Sequence, residues 1–501
     1  MVFNSFSFFV FFPIVLLIYF IIPRKTRYIW LLVTSYYFYM SWNPKYAILI
    51  ALSTFITYLS GIFIEKTEAI ADEKKRIKSK KWVVAASFVT NLGILFFFKY
   101  FDFALASINR VLSVVGIQAI EKPFDVLLPV GISFYTFQAL SYTVDVYRGN
   151  IKAEKNLLRY ALFVSFFPQL VAGPIERSTS LMKQVQKVHE IDLFHYERIT
   201  SGCAMMLWGY FMKMVIADRL AILVDQVFAN YAGYGATALI LATVFFAFQI
   251  YCDFASYSLI AIGSAKVMGF TLMENFNTPY FSRSVKEFWR RWHISLSSWF
   301  KDYLYIPLGG NRKGKIRTYI NLMITFLASG LWHGASFSFV AWGGIHGMIQ
   351  IIGNVLKPYR EKLLKLFHVR TDSYSHKLLQ CLMTFFWVDL AWIFFRANSF
   401  TEALAYIGRI ITNIDPWSLF NGSIFTLGLS TVEFWVAIVS LIILFMVDRI
   451  RYTKQMQLDQ YLNTQSLWFR WTVYIFLFCA ILIFGIYGPS YDAAQFYYFQ
   501  F

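Results

Sequence analysis

Charge is what this chain has least of. Only 15% of its 501 residues are Asp, Glu, Lys or Arg, while 58% are hydrophobic. A water-soluble fold of this length needs far more polar surface, so that class is excluded. Cysteine is scarce too: Cys203, Cys252, Cys381 and Cys479 lie far apart in apolar settings. None forms a CxxC or a metal-ligand spacing, which leaves buried thiols rather than a disulfide framework or a zinc site. The seven histidines are equally dispersed, and no HExxH occurs among them. There is also no G-x-S-x-G elbow to carry a serine nucleophile. A G-x-x-x-x-G-K string does occur at Gly309–Lys315, but Ile316 stands where a P-loop needs a magnesium-binding hydroxyl. Pro307 and an aromatic helix precede it, where a buried strand belongs. The ATPase reading fails on both counts.

What fills the chain instead is apolar sequence of membrane-spanning length. Runs stand out at Ser7–Ile22, Tyr46–Ile64, Trp82–Phe98, Leu239–Tyr251, Phe385–Phe395, Phe434–Val447 and Trp471–Ile486. With fainter runs between them, about ten to twelve spans are expected, some tilted or re-entrant because they are short. The first run has no basic residue before it and no small-residue cleavage site after it, so it reads as a retained span. Arg24, Lys25 and Arg27 follow that run, and Lys66, Lys74, Lys75, Arg76, Lys78, Lys80 and Lys81 crowd the loop from Glu65 to Lys81. Both clusters place the same side in the cytoplasm and the N-terminus outside. The net charge of +18 then belongs to loops facing anionic lipid, and no nucleic-acid partner is expected. No polar stretch exceeds connector size. The chain reads as one integral membrane domain over residues 1–501, with a motif-rich core at about 120–350 and a plainer helix bundle at about 376–490.

Two segments concentrate chemistry. His333 stands in FLASGLWHGA (Phe326–Ala335), where an ionisable group at membrane depth is costly and rarely kept without a use. Small residues on both sides allow other helices to approach closely and wall the imidazole in. On residues alone, a catalytic and a structural histidine are equally open. The second segment is SVKEFWRRWHISLSSWFKDYLYIPLGG (Ser284–Gly310). Val285, Phe288, Trp289, Trp292, Leu296, Trp299 and Tyr303 repeat at helical spacing, with Lys286, Arg290, Ser297 and Lys301 opposite and His293 at the rim. An interfacial helix is the plain expectation. The sharper one is that Arg290, Arg291 and Lys301 meet the phosphates of a nucleotide-bearing donor, with Trp292 and Asp253 completing the donor set. Asp253 is open to a second reading, as a helix-bonding group. His346 reads as structural, Asp145 and Arg148 as anchors of a span boundary. Gly173-Pro174 reads as a break suited to a re-entrant element, closed by pairing of Glu176 with Arg177.

RRWHISLSSWFKDYLYIPLGGNRKG followed by GLWHGASFSFVAWGGIHG resembles the membrane-bound O-acyltransferase superfamily, and within it the bacterial branch of alginate and other exopolysaccharide O-acetylation. Leu127–Gly149, Phe166–Arg177, Tyr251–Phe270 and the closing AAQFYYFQF match in the same order. The resemblance implies an all-α polytopic membrane fold with re-entrant and interfacial helices. It implies His333 as the acyl-transfer histidine and His293 as the second histidine of the signature. It also implies acetyl-CoA as a donor substrate with no permanently bound cofactor, and a polysaccharide acceptor outside a bacterial plasma membrane. An extracytoplasmic partner of the SGNH-hydrolase type is expected by the same resemblance. D-alanyl transfer to teichoic acid shares the core motifs and stays open; a transporter is the alternative from another class.

Overall fold

The computed structural model describes residues 1–122, 128–171 and 173–487. Leu127 and the closing AAQFYYFQF lie outside them. Among the described residues every regular element is helical and no strand occurs. Seven helical stretches are long and apolar enough to cross a membrane: Pro44–Ala69, Glu73–Val114, Ala236–Val267, Phe337–Leu366, Tyr374–Arg396, Thr431–Lys454 and Leu467–Phe484. Phe6–Ile21 is apolar but shorter. This is a multi-pass membrane protein. Between the long stretches, the sequence from Ile132 to Met182 and from Val285 to Tyr305 is cut into short helices and turns.

The chain divides into two compact units. One comprises Met1–Cys203 with Ile260–Met273, the other Ala204–Leu259 with the described residues from Glu274 onward. In the first unit, long helices pack through polar seams that apolar spans need for specific pairing. Ser53 donates to Asn91 Oδ1 at 2.6 Å, and Tyr160 donates to Thr57 Oγ1 at 2.7 Å. Gly61 has no room for a side chain, since a Cβ there would lie 2.6 Å from the Tyr142 hydroxyl. Asp145 accepts from Ser178 Oγ at 2.6 Å, so it ties a loop to the end of its helix as a boundary anchor does. The break after Leu170 is closed differently from the expected Glu176–Arg177 pair. Glu176 is buried and accepts from the Met273 backbone amide at 2.6 Å.

The second unit carries the chemistry-rich segments. Its sharpest departure from the sequence expectation is in Ser284–Gly310, which is not one continuous helix. Val285–Arg291 and Ile294–Phe300 are separate two-turn helices, and a wider turn follows at Lys301–Tyr305. The break falls at His293, whose φ of 44° is left-handed. A wheel drawn through that break misplaces everything after it, and Trp292 and His293 are both wholly buried instead of lying at an interface rim.

Candidate active site

Local backbone chemistry explains how His293 is held. Ser284 caps the first short helix by accepting from the Glu287 amide at 3.1 Å. The chain then turns back beside residues 275–277. The Asn277 amide donates to Arg291 O, and the Ile294 amide donates to Asn275 O, each at 2.9 Å. These two bonds clamp the strained residue from both sides. Asn275 completes the clamp with its side chain. Its Oδ1 accepts from the Ser295 hydroxyl at 2.9 Å and from the Ser295 amide at 3.3 Å, and its Nδ2 donates to Ser258 Oγ at 3.1 Å. The same oxygen lies 3.1 Å from His293 Nδ1, so Nδ1 is the protonated nitrogen and donates. Nε2 then carries the lone pair. Burial pushes this imidazole down from its ordinary 6.5 to about 3, which keeps it neutral.

His333 is the last residue of the Lys315–His333 helix. That helix and Phe337–Leu366 form a hairpin whose crossing depends on glycine. A Cβ on Gly330 would lie 2.2 Å from the Phe339 carbonyl oxygen, and one on Gly343 would lie 2.3 Å from that of Phe326. Ser336 starts the second helix with a cap that accepts from the Phe339 amide. The close approach expected from the small residues around His333 is therefore present. It brings His333 within 5.0 Å of the Trp342 ring, 5.5 Å of Phe395 and 6.2 Å of His293, centroid to centroid. The two histidines that stood forty residues apart in sequence share one aromatic wall. Trp292, Trp392 and Trp342 continue it, with ring separations of 5.1 and 5.8 Å along the row.

On the other face of the Val285–Arg291 helix the chemistry changes sign. Phe288 and Trp289 are buried, while Lys286 and Arg290 are exposed. A solvent-open pocket of about 560 Å³ lies there, lined by Asn277, Arg283, Ser284, Lys286, Glu287, Arg290, Arg291 and Gln455. Four cations oppose one carboxylate. Glu287 engages Arg291 at 3.1 Å and Arg283 at 3.8 Å, and the Arg291 guanidinium also lies over the Tyr452 ring.

The expected donor residues are only partly brought together. Arg290 and Arg291 line the basic pocket, but Lys301 does not; it is exposed on the turn after the second short helix. Trp292 belongs to the aromatic wall. Asp253 is buried in an ion pair with Lys213 at 2.5 Å, and Lys213 also holds Asp218 at 2.8 Å. A buried carboxylate needs a counter-ion, and that need turns Asp253 to Lys213. Three further buried groups escaped sequence reasoning: Tyr251 donates to Asp448 Oδ2 at 2.8 Å, and Asp448 in turn meets Arg451 at 3.3 Å. No short motif links these positions, although a charge in each apolar run was signal enough to ask for a partner. Among the described residues no cluster of three His, Cys, Asp or Glu residues suits a metal ion.

The sequence profile of MBOAT, the membrane-bound O-acyltransferase family, matches residues 18–395. This chain belongs to that family. It is similar to the probable alginate O-acetylase AlgI of Pseudomonas putida, 40% identical over 424 residues that cover 84% of this chain and 82% of the relative. It is also similar to the peptidoglycan O-acetyltransferase of Helicobacter pylori, at 34% over 432 residues, 80% of this chain and 78% of the relative. A teichoic acid D-alanyltransferase of Bacillus subtilis matches more narrowly, at 26% over 299 residues, 56% of this chain and 72% of the relative. The MBOAT chain described here is thus an O-acyltransferase whose extensive matches bear O-acetylation names. The matched span contains both His293 and His333.

Proposed function

We propose that this protein takes acetyl from cytoplasmic acetyl-CoA and passes it across a bacterial plasma membrane for O-acetylation of an extracytoplasmic polysaccharide. The observation that carries the reading is the two-faced Val285–Arg291 helix. Its exposed cations line a basic pocket, and its buried aromatics touch the wall that holds His333 and His293. A donor with phosphates at one end and a thioester at the other matches both faces. Arg and Lys in the pocket hold the phosphates by charge-assisted bonds. At the far end His333 acts as general base: its neutral imidazole takes the proton of the attacking hydroxyl, and the acetyl carbon moves from sulfur to oxygen. His293, locked with its lone pair on Nε2, positions the reacting groups beside it. Acetyl is favoured over D-alanyl because the acetylating relatives match across four fifths of the chain or more. With no elbow serine of its own, the chain hands acetyl to a second protein of the SGNH-hydrolase type.

The test is thiol release from acetyl-CoA by membranes carrying the full chain, supplied with envelope polysaccharide. Lys286→Ala combined with Arg290→Ala raises the donor KM at least tenfold with little change in kcat. The KM difference shrinks as salt rises past about 0.15 M, where exposed charges are screened. A donor KM untouched by losing both cations contradicts the pocket's role.

A further inference from the structure

We infer that Trp342 and His346 are the two hydrogen-bond donors that hold the acyl oxygen while the thioester is attacked. The inference rests on the acyl-transfer reading above and goes to residues which that reading leaves unused. Both side chains are wholly buried, and their rings lie 5.1 Å apart with planes 79° from parallel. The Trp342 indole N–H finds no acceptor among the described residues. His346 is fixed by a neighbour: Trp289 donates its indole N–H to His346 Nδ1 at 3.3 Å. An Nδ1 that accepts leaves the neutral ring with its proton on Nε2, which makes Nε2 a donor. Nε2 likewise has no partner among the described residues. Buried donors are almost always paired, so two adjacent orphans on one wall call for an acceptor from outside the chain. Trp342 is also in ring contact with His333, at 5.0 Å.

An oxyanion is the acceptor that suits this place. When the acceptor hydroxyl attacks, the carbonyl π pair moves onto oxygen, and the hydroxyl proton passes to the His333 imidazole. Two neutral N–H groups then stabilise the new negative charge in a site closed to water. Collapse restores the carbonyl and breaks the carbon–sulfur bond, and His333 returns its proton to the departing thiolate. No other reactant is consumed. Donors that touch the base's neighbour instead of the base itself are correctly spaced, since the hydroxyl and acyl carbon lie between base and oxyanion.

The experiment measures thiol release from acetyl-CoA in membranes carrying the full chain, with envelope polysaccharide as acceptor. Trp342→Phe keeps the ring and removes only the N–H; His346→Phe removes the second donor, and His346→Gln restores an N–H. The phenylalanine variants each lower kcat about 100-fold with donor KM within threefold, and the glutamine variant recovers at least tenfold. Trp342→Phe melts no lower than wild type, because the free protein loses a donor that had no partner. An active wild type with both phenylalanine variants within threefold of it overturns the assignment alone. So does a loss of activity that merely follows a loss of folded protein. A wild type that releases no thiol overturns the donor reading and this assignment together.

Discussion

His293 sits at a backbone angle that residues with a Cβ rarely adopt, at a cost of about 1–3 kcal/mol. Asn275 and the paired amides around it hold the angle, and in return the imidazole keeps one tautomer in a sealed wall. That burial has a pH consequence. The folded pKa is about 3, below the ordinary 6.5, so between those values the unfolded chain binds a proton that the fold refuses. Stability is complete above about 6.5 and is lost as pH falls toward 3. The melting temperature of the detergent-purified protein should therefore drop across this window, and His293→Asn should flatten part of the drop. Identical slopes for both proteins would remove the neutral imidazole from the account. At this scale His333 was legible, because a histidine among Phe, Leu, Ala and Gly advertises its own cost. The role of Asn275 was not: it lies eighteen residues before His293, and only the backbone turn brings the two together. His346 read as structural because one sequence cannot reveal which nitrogen a tryptophan engages.

Among the elements, the hairpin of Lys315–His333 and Phe337–Leu366 decides where His333 stands. Its two glycines let backbone meet backbone, so Gly330→Ala must push the helices apart. The expected cost is about 1–3 kcal/mol, with a loss of transfer activity as the wall opens. Gly353→Ala is the matched comparison, since a Cβ there meets nothing within 4 Å. It should hold or slightly raise the melting temperature through helix propensity. Equal melting of the two variants would mean that the hairpin tolerates separation. The hairpin was readable from small residues flanking the histidine, and the long spans from unbroken apolar runs. The short helices around His293 were not readable in the same way. Helical periodicity runs unbroken through Trp292 and Ser295, and the break is imposed by residues 275–277 instead of by a local proline or glycine.

For the whole molecule, charge placement was legible earliest and sets the orientation. The basic loop between Glu65 and Lys81 should face the cytoplasm. In a cysteine-free background, Lys75→Cys is expected to react with a membrane-impermeant maleimide in inverted vesicles and to stay unlabelled in intact cells. Labelling in intact cells would reverse the topology and move the donor to the wrong side. Burial of charge was the part that composition hid. Lys213, Asp218 and Asp253 lie within apolar sequence, and a hydropathy profile records each as a blemish instead of as one ion-pair cluster.

The central claim is that His333 carries acyl transfer and that the group is acetyl. It is tested most directly by mass spectrometry of acids released with mild alkali from envelopes of a deletion strain, complemented with wild type or with His333→Ala at matched membrane abundance. The account predicts that acetate returns with wild type and stays absent with the variant. Acetate restored equally by His333→Ala would make the residue structural and contradict the mechanism; D-alanine restored by wild type would contradict the choice of acyl group.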